Sequence, residues 1–290
     1  MSALAESGWT APVPHPYGRE MASASSSTVH TTASRLAHSP VFRGFARAGF
    51  VVNGGLHLLI GFIALGVAFG SGGEADQGGA LSAIASRPGG QILLWAAAIG
   101  LFGLGLFQVV VALLVRGSDK DAWADRAKEG GKGVAYLAVG TTALTFALGG
   151  SSDSSGQTQS FSAQLLAAPG GVLLLVVVAL AVLAIGIYFV VKGVKKKFVE
   201  DLVVPAGSGG RATIATGMVG YIAKGVAVAV VGILFGVAAF TADPEEATGL
   251  DGAMKSLAEL PFGVVILTAV ALGIVAYGVY CFVRARFARL

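Results

Sequence analysis

Few side chains in the apolar part of this sequence could do chemistry. Asn53, His57 and Gln108 are the main polar residues within long uncharged stretches, and no aspartate or glutamate falls in the middle of one. The carboxylates of a proton relay or a cation site are therefore missing there. His57 could ligate haem or a metal, but Tyr136 and Val228 occupy the repeat-equivalent positions, so we favour interhelical hydrogen bonding. We predict no catalytic residue, no metal site and no cofactor.

Aromatic and basic residues form a second group that helix geometry would bring to one level. Tyr188 and Tyr280 each stand nineteen residues after a proline, which is about 28 Å along a helix axis. Asn53, Lys132 and Lys224 lie where other helices begin at that level. One interpretation is an aromatic belt with lysines that reach the membrane interface. The alternative is a site for an anionic lipid head group, with the candidate ligands Lys132, Lys224, Tyr188, Tyr280 and Asn53.

Motifs of soluble enzymes and of nucleic-acid binding are missing. No Walker lysine loop, H-E-x-x-H or G-x-S-x-G occurs, and the glycines between Gly100 and Gly105 follow no strand, which excludes a dinucleotide loop. Basic residues flank the apolar runs instead of forming a stripe with interleaved aromatics, so we expect no nucleic-acid partner. The single cysteine, Cys281, excludes an intramolecular disulfide.

The elements that must position these residues are membrane helices. Hydrophobic residues make up 54% of the sequence and charged residues 12%, against about 25% charged in soluble domains. Uncharged runs of about twenty residues match the hydrocarbon thickness of a bilayer. The sequence predicts an all-α integral membrane protein with six transmembrane helices, over residues 44–70, 91–115, 132–150, 170–193, 216–241 and 262–283.

The six runs form three copies of one pattern. Each copy has a proline, a glycine two residues later and another glycine seventeen residues later. In the run before each proline, two glycines stand seven residues apart. Small residues at such spacing mark the faces on which membrane helices pack. The repeat-defining structural residues are Pro88, Pro169, Pro261, Gly105, Gly186, Gly278, Gly54, Gly133 and Gly225.

Each copy is predicted to be a two-helix unit with a short interfacial helix before its even-numbered span. Apolar residues three and four positions before each proline indicate the short helix, and proline is well placed to start the span that follows. Two spans per unit give three parallel repeats related by an axis along the membrane normal. The predicted segments are a disordered cytoplasmic tail over 1–42 and repeats over 43–118, 126–198 and 211–290.

The distribution of charge predicts the orientation. All lysines and arginines except Arg87 and Lys255 fall in or next to the N-terminal tail, the connections after the second and fourth spans, or the C-terminus. The positive-inside rule then places both termini in the cytoplasm.

This three-unit, six-span pattern, with its Pro-x-Gly and Gly-x-aromatic marks, resembles a bacterial membrane family catalogued as domain of unknown function 1206 and prominent in actinobacteria. The resemblance covers about residues 43–289. It implies three tandem two-helix units in a multi-pass protein of the bacterial cell (cytoplasmic) membrane, and it lends no catalytic residues.

Three classes of function are compatible with the sequence. We favour a non-catalytic scaffold or accessory subunit that binds anionic lipid, with membrane lipids and other membrane proteins as partners. The alternative is a transporter or channel for a small or lipidic solute, although the helical faces are nearly all Ala, Gly, Val and Leu. The third class is a membrane enzyme acting on lipid, and no acid, base or nucleophile constellation supports it.

Overall fold

The computed structural model describes residues 40–115, Gly117 and residues 119–288, and this part of the chain is all-α. The predicted tail lies outside the described residues up to position 39, and residues 40–42 already belong to the first helix. Two short 3₁₀-helices, Lys197–Asp201 and Pro244–Glu246, occur in connections. The described ranges contain nine α-helices: α1 (Pro40–Ala68), α2 (Gln77–Ala85), α3 (Gly90–Leu114), α4 (Lys120–Ala147), α5 (Ser154–Ala167), α6 (Gly171–Val194), α7 (Ser208–Thr241), α8 (Gly249–Glu259) and α9 (Gly263–Phe287).

Five of these helices are long and apolar enough to cross a membrane, namely α3, α6, α7, α9 and the part of α1 from Arg47 onward. The predicted third span, 132–150, lies largely in α4, which is not among the five. Its first half carries charged residues such as Lys128 and Glu129. The uncharged part, from Gly133 to Ala147, is only about 22 Å long. By composition alone, five of the six predicted spans are therefore confirmed.

A β-turn precedes each of α3, α6 and α9 and contains the repeated proline at its second position. In all three turns the amide of the first helical residue donates to the carbonyl oxygen of the residue before the proline, over 2.7–2.9 Å. The residue after the proline, Gly89, Gly170 or Phe262, is left-handed, with φ of 79°, 73° and 63°. This is the geometry of a type II turn. The proline therefore shapes the turn, and the helix starts at the glycine two residues further on.

The short helix predicted before each proline is present in all three units, as α2, α5 and α8. Each short helix ends so close to the first turn of the next long helix that a side chain would not fit between them. A Cβ atom on the first residue of α3, α6 or α9 would overlap a backbone carbonyl oxygen of the short helix. This close approach explains why glycine recurs at Gly90, Gly171 and Gly263.

The long helices pair between units, in cyclic order. α4 of the second unit packs against α3 of the first, α7 of the third against α6 of the second, and α1 of the first against α9 of the third. The partners run antiparallel, since Gly133 faces Gly105 while Gly140 faces Leu101. The first helix of each unit thus packs on the second helix of the preceding unit, and the third unit closes back on the first.

The repeat-defining glycines are points of close approach in these three pairs. A Cβ atom on Gly225 would lie 2.7 Å from Gly186 O, and one on Gly278 would lie 2.9 Å from Gly54 O. The glycines seven residues further along α1, α4 and α7 lie at the same interfaces and are Gly61, Gly140 and Gly232. The prediction that small residues mark the contact faces is confirmed.

Contacts between the three helix pairs are uneven. α9 packs along α7 as well as α1, with Tyr277 against Gly220 and Ala223 against Gly273. α1 also contacts α3, where Leu104 lies against Gly49. Within the described residues, α4 makes no comparable contact with α6 or α7. The centre of the bundle is therefore built mainly by α1, α7 and α9.

Candidate functional site

Lys224 is a cation in the interior of the bundle with aromatic neighbours. It lies at the midpoint of α7, sixteen residues from Ser208, or about 24 Å along the helix axis. Its ammonium nitrogen lies 4.4 Å from the ring centre of Tyr277 and 5.4 Å from that of Phe189. Among the described residues, no acidic group lies within ion-pairing distance of this nitrogen. A cation in the interior of a helix bundle, without a carboxylate partner, is a candidate for ligand binding.

His57 contacts the same tyrosine from α1. The ring centres of His57 and Tyr277 are 4.7 Å apart, and only 8% of His57 is exposed. Its Nδ1 atom lies 2.8 Å from the carbonyl oxygen of Asn53, so Nδ1 carries a proton and donates it. Asn53 donates from Nδ2 to Sγ of Cys281 on α9, over 3.3 Å. His57 therefore forms this hydrogen bond within its own helix, where the sequence predicts one between helices. The hydrogen bond between α1 and α9 is made by Asn53.

A cavity of about 60 Å³ lies between α1, α7 and α9. Its polar lining consists of His57, Lys224 and Gln77, the first residue of α2. Its apolar walls are formed by Ile60, Ala227, Val228, Leu250 and Ile274. About 10–15 Å³ of such space holds one water molecule, so the cavity has room for roughly four non-hydrogen atoms. A concave apolar site with a few convergent polar groups is typical of small-ligand sites.

Tyr280 belongs to an aromatic cluster nearer the C-terminal end of α9. Its ring centre lies 5.3 Å from that of Phe198 and 5.6 Å from that of Tyr221. Tyr280 and Phe198 are both fully buried. Just beyond, Val203 N donates to Phe287 O over 2.8 Å. The connection between α6 and α7 is therefore folded into the bundle.

Asp201 is the counter-ion of two cations beside this cluster. Its carboxylate lies 2.8 Å from Lys192 Nζ and 3.8 Å from Arg284 Nη2. Burial disfavours the charged carboxylate, but the hydrogen bond and charge of Lys192 and the charge of Arg284 outweigh burial and lower the pKa of Asp201. Lys192 and Arg284 thus share one negative charge, whereas Lys224 has no carboxylate partner in the part of the chain that the structure describes.

The five residues predicted to bind a lipid head group fall into two places. Lys224, Asn53 and Tyr280 face the bundle interior. Tyr188 is 51% exposed on α6. Lys132 forms an ion pair with Glu129 at 2.6 Å, and 43% of its side chain is exposed. The structure therefore divides the predicted set into an inner group and a surface group.

Two buried aspartates, Asp76 and Asp251, lie at the opposite end of the bundle. Asp76 caps α2 by accepting a hydrogen bond from Gly79 N over 2.9 Å. Asp251 on α8 accepts from Ala75 N over 2.9 Å and pairs with Lys255 at 2.6 Å. Burial raises the pKa of Asp76, and its hydrogen bonds offset this only partly. Because Asp76 caps α2 and Asp251 links the first unit to the third, we assign both aspartates a structural role.

Sequence reasoning did not single out Gln77, Asp201, Tyr221 or Tyr277. Gln77 and Asp201 flank polar connections, where tertiary structure alone decides which side chains meet. A signal for Tyr277 did exist, since it precedes Tyr280 by one helical turn and so lies on the same face. Within the described part of the chain, no group of three or more His, Cys, Asp or Glu could hold a metal ion.

Comparison with known proteins identifies a matching family and one similar protein. A model of the family described as "Domain of Unknown Function (DUF1206)" matches residues 48–114, 129–196 and 219–288, and one match falls within each predicted repeat. The "Uncharacterized protein YxxB" of Bacillus subtilis (strain 168) is 30% identical over 250 residues, 84% of this chain and 90% of the relative. No solved structure matches.

Proposed function

Since the chain belongs to the family described as Domain of Unknown Function (DUF1206), and its three matches fall on three two-helix units, we propose that it is a non-catalytic membrane scaffold that binds anionic lipid. In this proposal α4 is the third of six transmembrane helices, and both termini lie in the cytoplasm of a bacterial cell. Its partners are membrane lipids and other membrane proteins.

The observation that carries the proposal is the separation of charge between the two ends of the bundle. We call the end where α3, α6 and α9 terminate the basic end, and the opposite end the acidic end. Five exposed cations at the basic end follow α6 or lie in α7 or α9. They are Lys195, Lys196, Lys197, Arg211 and Arg286. Among the described residues, the acidic end has two cations, Arg87 and Lys255, and eight carboxylates: Glu74, Asp76, Asp153, Asp243, Glu245, Glu246, Asp251 and Glu259. The positive-inside rule relates the basic end to the cytoplasm.

The packing of α4 supports its role as the third span. α4 contacts α3 through Gly133 and Gly140, in the same register as α7 contacts α6 through Gly225 and Gly232. A helix in this position lies alongside a membrane span for much of its length. The charged first half, from Lys120 to Lys132, then extends past the bilayer surface at the basic end.

The lysines after α6 are placed to contact lipid head groups. Lys195, Lys196 and Lys197 are all exposed and directly follow the last turn of α6. None of the three forms an ion pair within the described residues. A juxtamembrane lysine contributes about 1 kcal/mol of attraction to an anionic membrane surface. Tyr188, exposed two turns earlier on α6, lies on the lipid-facing surface nearby.

The use of interior polar groups supports a scaffold. Asn53 binds Cys281 between the first and third units, and Ser155 donates to Thr248 O between the second and third. Asp251 binds Ala75 N across the first and third units. Each of these groups holds two units together, which is what a structural role requires.

Replacing Lys195, Lys196 and Lys197 together by glutamine is expected to weaken binding of anionic lipid at least tenfold, because three charges near the surface are lost. The measurement is native mass spectrometry of purified protein titrated with phosphatidylglycerol. Arg87→Gln removes an exposed cation at the acidic end and is expected to change nothing. Equal phosphatidylglycerol binding by the triple variant and the wild type would contradict the lipid part of the proposal.

Single-cysteine labelling tests the orientation and the sixth span. On a Cys281→Ser background, Lys196→Cys and Lys120→Cys are expected to react with a membrane-impermeant maleimide only after lysis, whereas Asp243→Cys and Ser151→Cys react in intact cells. Labelling of positions 120 and 151 from the same side would show that α4 does not cross the membrane.

A further inference from the structure

We propose that the cavity between α1, α7 and α9 binds a small monoanion that carries a hydroxyl group, of which bicarbonate is the simplest. The cavity is separate from the basic end of the bundle, and the inference does not rest on the lipid-binding proposal. It rests on the three polar residues that line the cavity: Lys224, His57 and Gln77.

The positive charge of Lys224 indicates that the ligand is an anion. Taking an ammonium group out of water costs several kcal/mol. Each of its contacts with Tyr277 and Phe189 returns about 2 kcal/mol when desolvated, and neither carries a negative charge. No carboxylate of the described chain pairs with Lys224, whereas Asp201 pairs with Lys192 and Arg284. A single negative charge in the cavity would pair with Lys224. A second negative charge would have no cation to pair with.

The tautomer of His57 indicates that the ligand carries a hydrogen-bond donor for the Nε2 atom. Because Nδ1 donates to the carbonyl oxygen of Asn53 at 2.8 Å, the neutral ring has its lone pair on Nε2. A lone pair repels a bare anion and accepts a hydrogen bond from a hydroxyl group. A ligand that satisfies both Lys224 and His57 therefore has a negative oxygen on one side and an O–H on the other.

Size and the third polar residue narrow the class of ligand. Space for roughly four non-hydrogen atoms admits bicarbonate and excludes a phospholipid head group. The amide of Gln77 both donates and accepts, so it can bind the remaining oxygen of such an anion in either orientation. The remaining walls, which include Ile60 and Ile274, are apolar.

Nitrate provides the matched probe, because it has the planar shape, size and charge of bicarbonate but no proton. The protein is placed in nanodiscs of zwitterionic lipid at pH 8, and broadening of the ¹³C-bicarbonate NMR line is titrated with unlabelled bicarbonate and with nitrate. We expect saturable broadening that bicarbonate reverses at a concentration at least tenfold lower than nitrate. Absence of saturable broadening, which means a cavity filled by water, would overturn the proposal, and so would equal competition by nitrate.

Two variants locate the site. Lys224→Met removes the ammonium with little change in volume, and we expect it to weaken bicarbonate binding at least tenfold. The control is Lys132→Met, which removes an exposed lysine outside the cavity and is expected to bind as the wild type does. Unchanged binding by a folded Lys224→Met protein would overturn the assignment. If that variant does not fold, the comparison of nitrate with bicarbonate on the wild-type protein still decides the matter.

Discussion

Replacing Gly225 by leucine is expected to prevent α6 and α7 from packing, and replacing it by alanine to lower the unfolding free energy by about 1–2 kcal/mol. A Cβ atom at this position would lie 2.7 Å from Gly186 O and from Val190 N. Both are backbone atoms of a helix, so relief requires the two helices to separate. Overpacking of this kind costs about 1–3 kcal/mol, and the better helix propensity of alanine returns up to about 1 kcal/mol. Thermal unfolding in detergent or nanodiscs measures the effect.

Gly55 provides the matched control for this prediction. It lies within α1, beside Gly54, the counterpart of Gly225, and a Cβ atom on it would meet nothing within 4 Å. Gly55→Ala is therefore expected to leave stability unchanged or to raise it by up to about 1 kcal/mol. Gly54→Ala, with its closest backbone contact at 3.0 Å, should fall between the two. Equal stability of the Gly225, Gly54 and Gly55 alanine variants would show that the glycine contacts do not hold the helices together.

Replacing Gly171 by alanine is expected to cost about 3 kcal/mol or more, the upper range of overpacking effects. The added Cβ atom would overlap the carbonyl oxygen of Leu165, near the C-terminal end of α5. That oxygen cannot move freely, because the turn from Ala168 to Gly171 is closed by a hydrogen bond of 2.8 Å. The variant must break the turn or displace α5. Limited proteolysis of the connection before α6, followed alongside the melting temperature, reports both outcomes.

The adjacent Gly170 separates this clash from a backbone effect. Gly170 has φ of 73° and no atom within 4 Å of an added Cβ, so Gly170→Ala carries only the cost of a left-handed residue, about 1–2 kcal/mol. Phe262 occupies the equivalent position in the third unit, which shows that a side chain fits there. If Gly170→Ala proved as damaging as Gly171→Ala, contact with α5 would not be the reason for glycine at the start of α6.

Local features of the fold could be predicted from the sequence, because each repeats three times in register. Recurrence of Pro88, Pro169 and Pro261 identified the units and the short helices, and the glycine spacing identified the contact faces. The partner of each face could not be predicted, since a glycine stripe shows that a helix packs closely but not on which neighbour. Pairing between units instead of within them, as for Gly225 with Gly186, is a property of the tertiary structure.

The candidate site was predicted only in part, and for a related reason. Lys224 and Asn53 were found because polar groups are rare in apolar helices. Lys224 was placed near a helix end, but α7 begins at Ser208 instead of near position 216, so the lysine lies in the middle of the helix. The role of Asp201 as counter-ion depends on how the connection after α6 folds back, and no local pattern reports that.

The cyclic pairing has a consequence for where the chain can begin. Arg284 lies over the ring of Phe50 at 4.5 Å, so the start of α1 and the end of α9 are neighbours. A circular permutant that joins these two ends and opens the short connection between α3 and α4 would retain all three antiparallel helix pairs. The unit at which the polypeptide begins is therefore incidental to the helix pairing, whereas the cyclic order of the units is not.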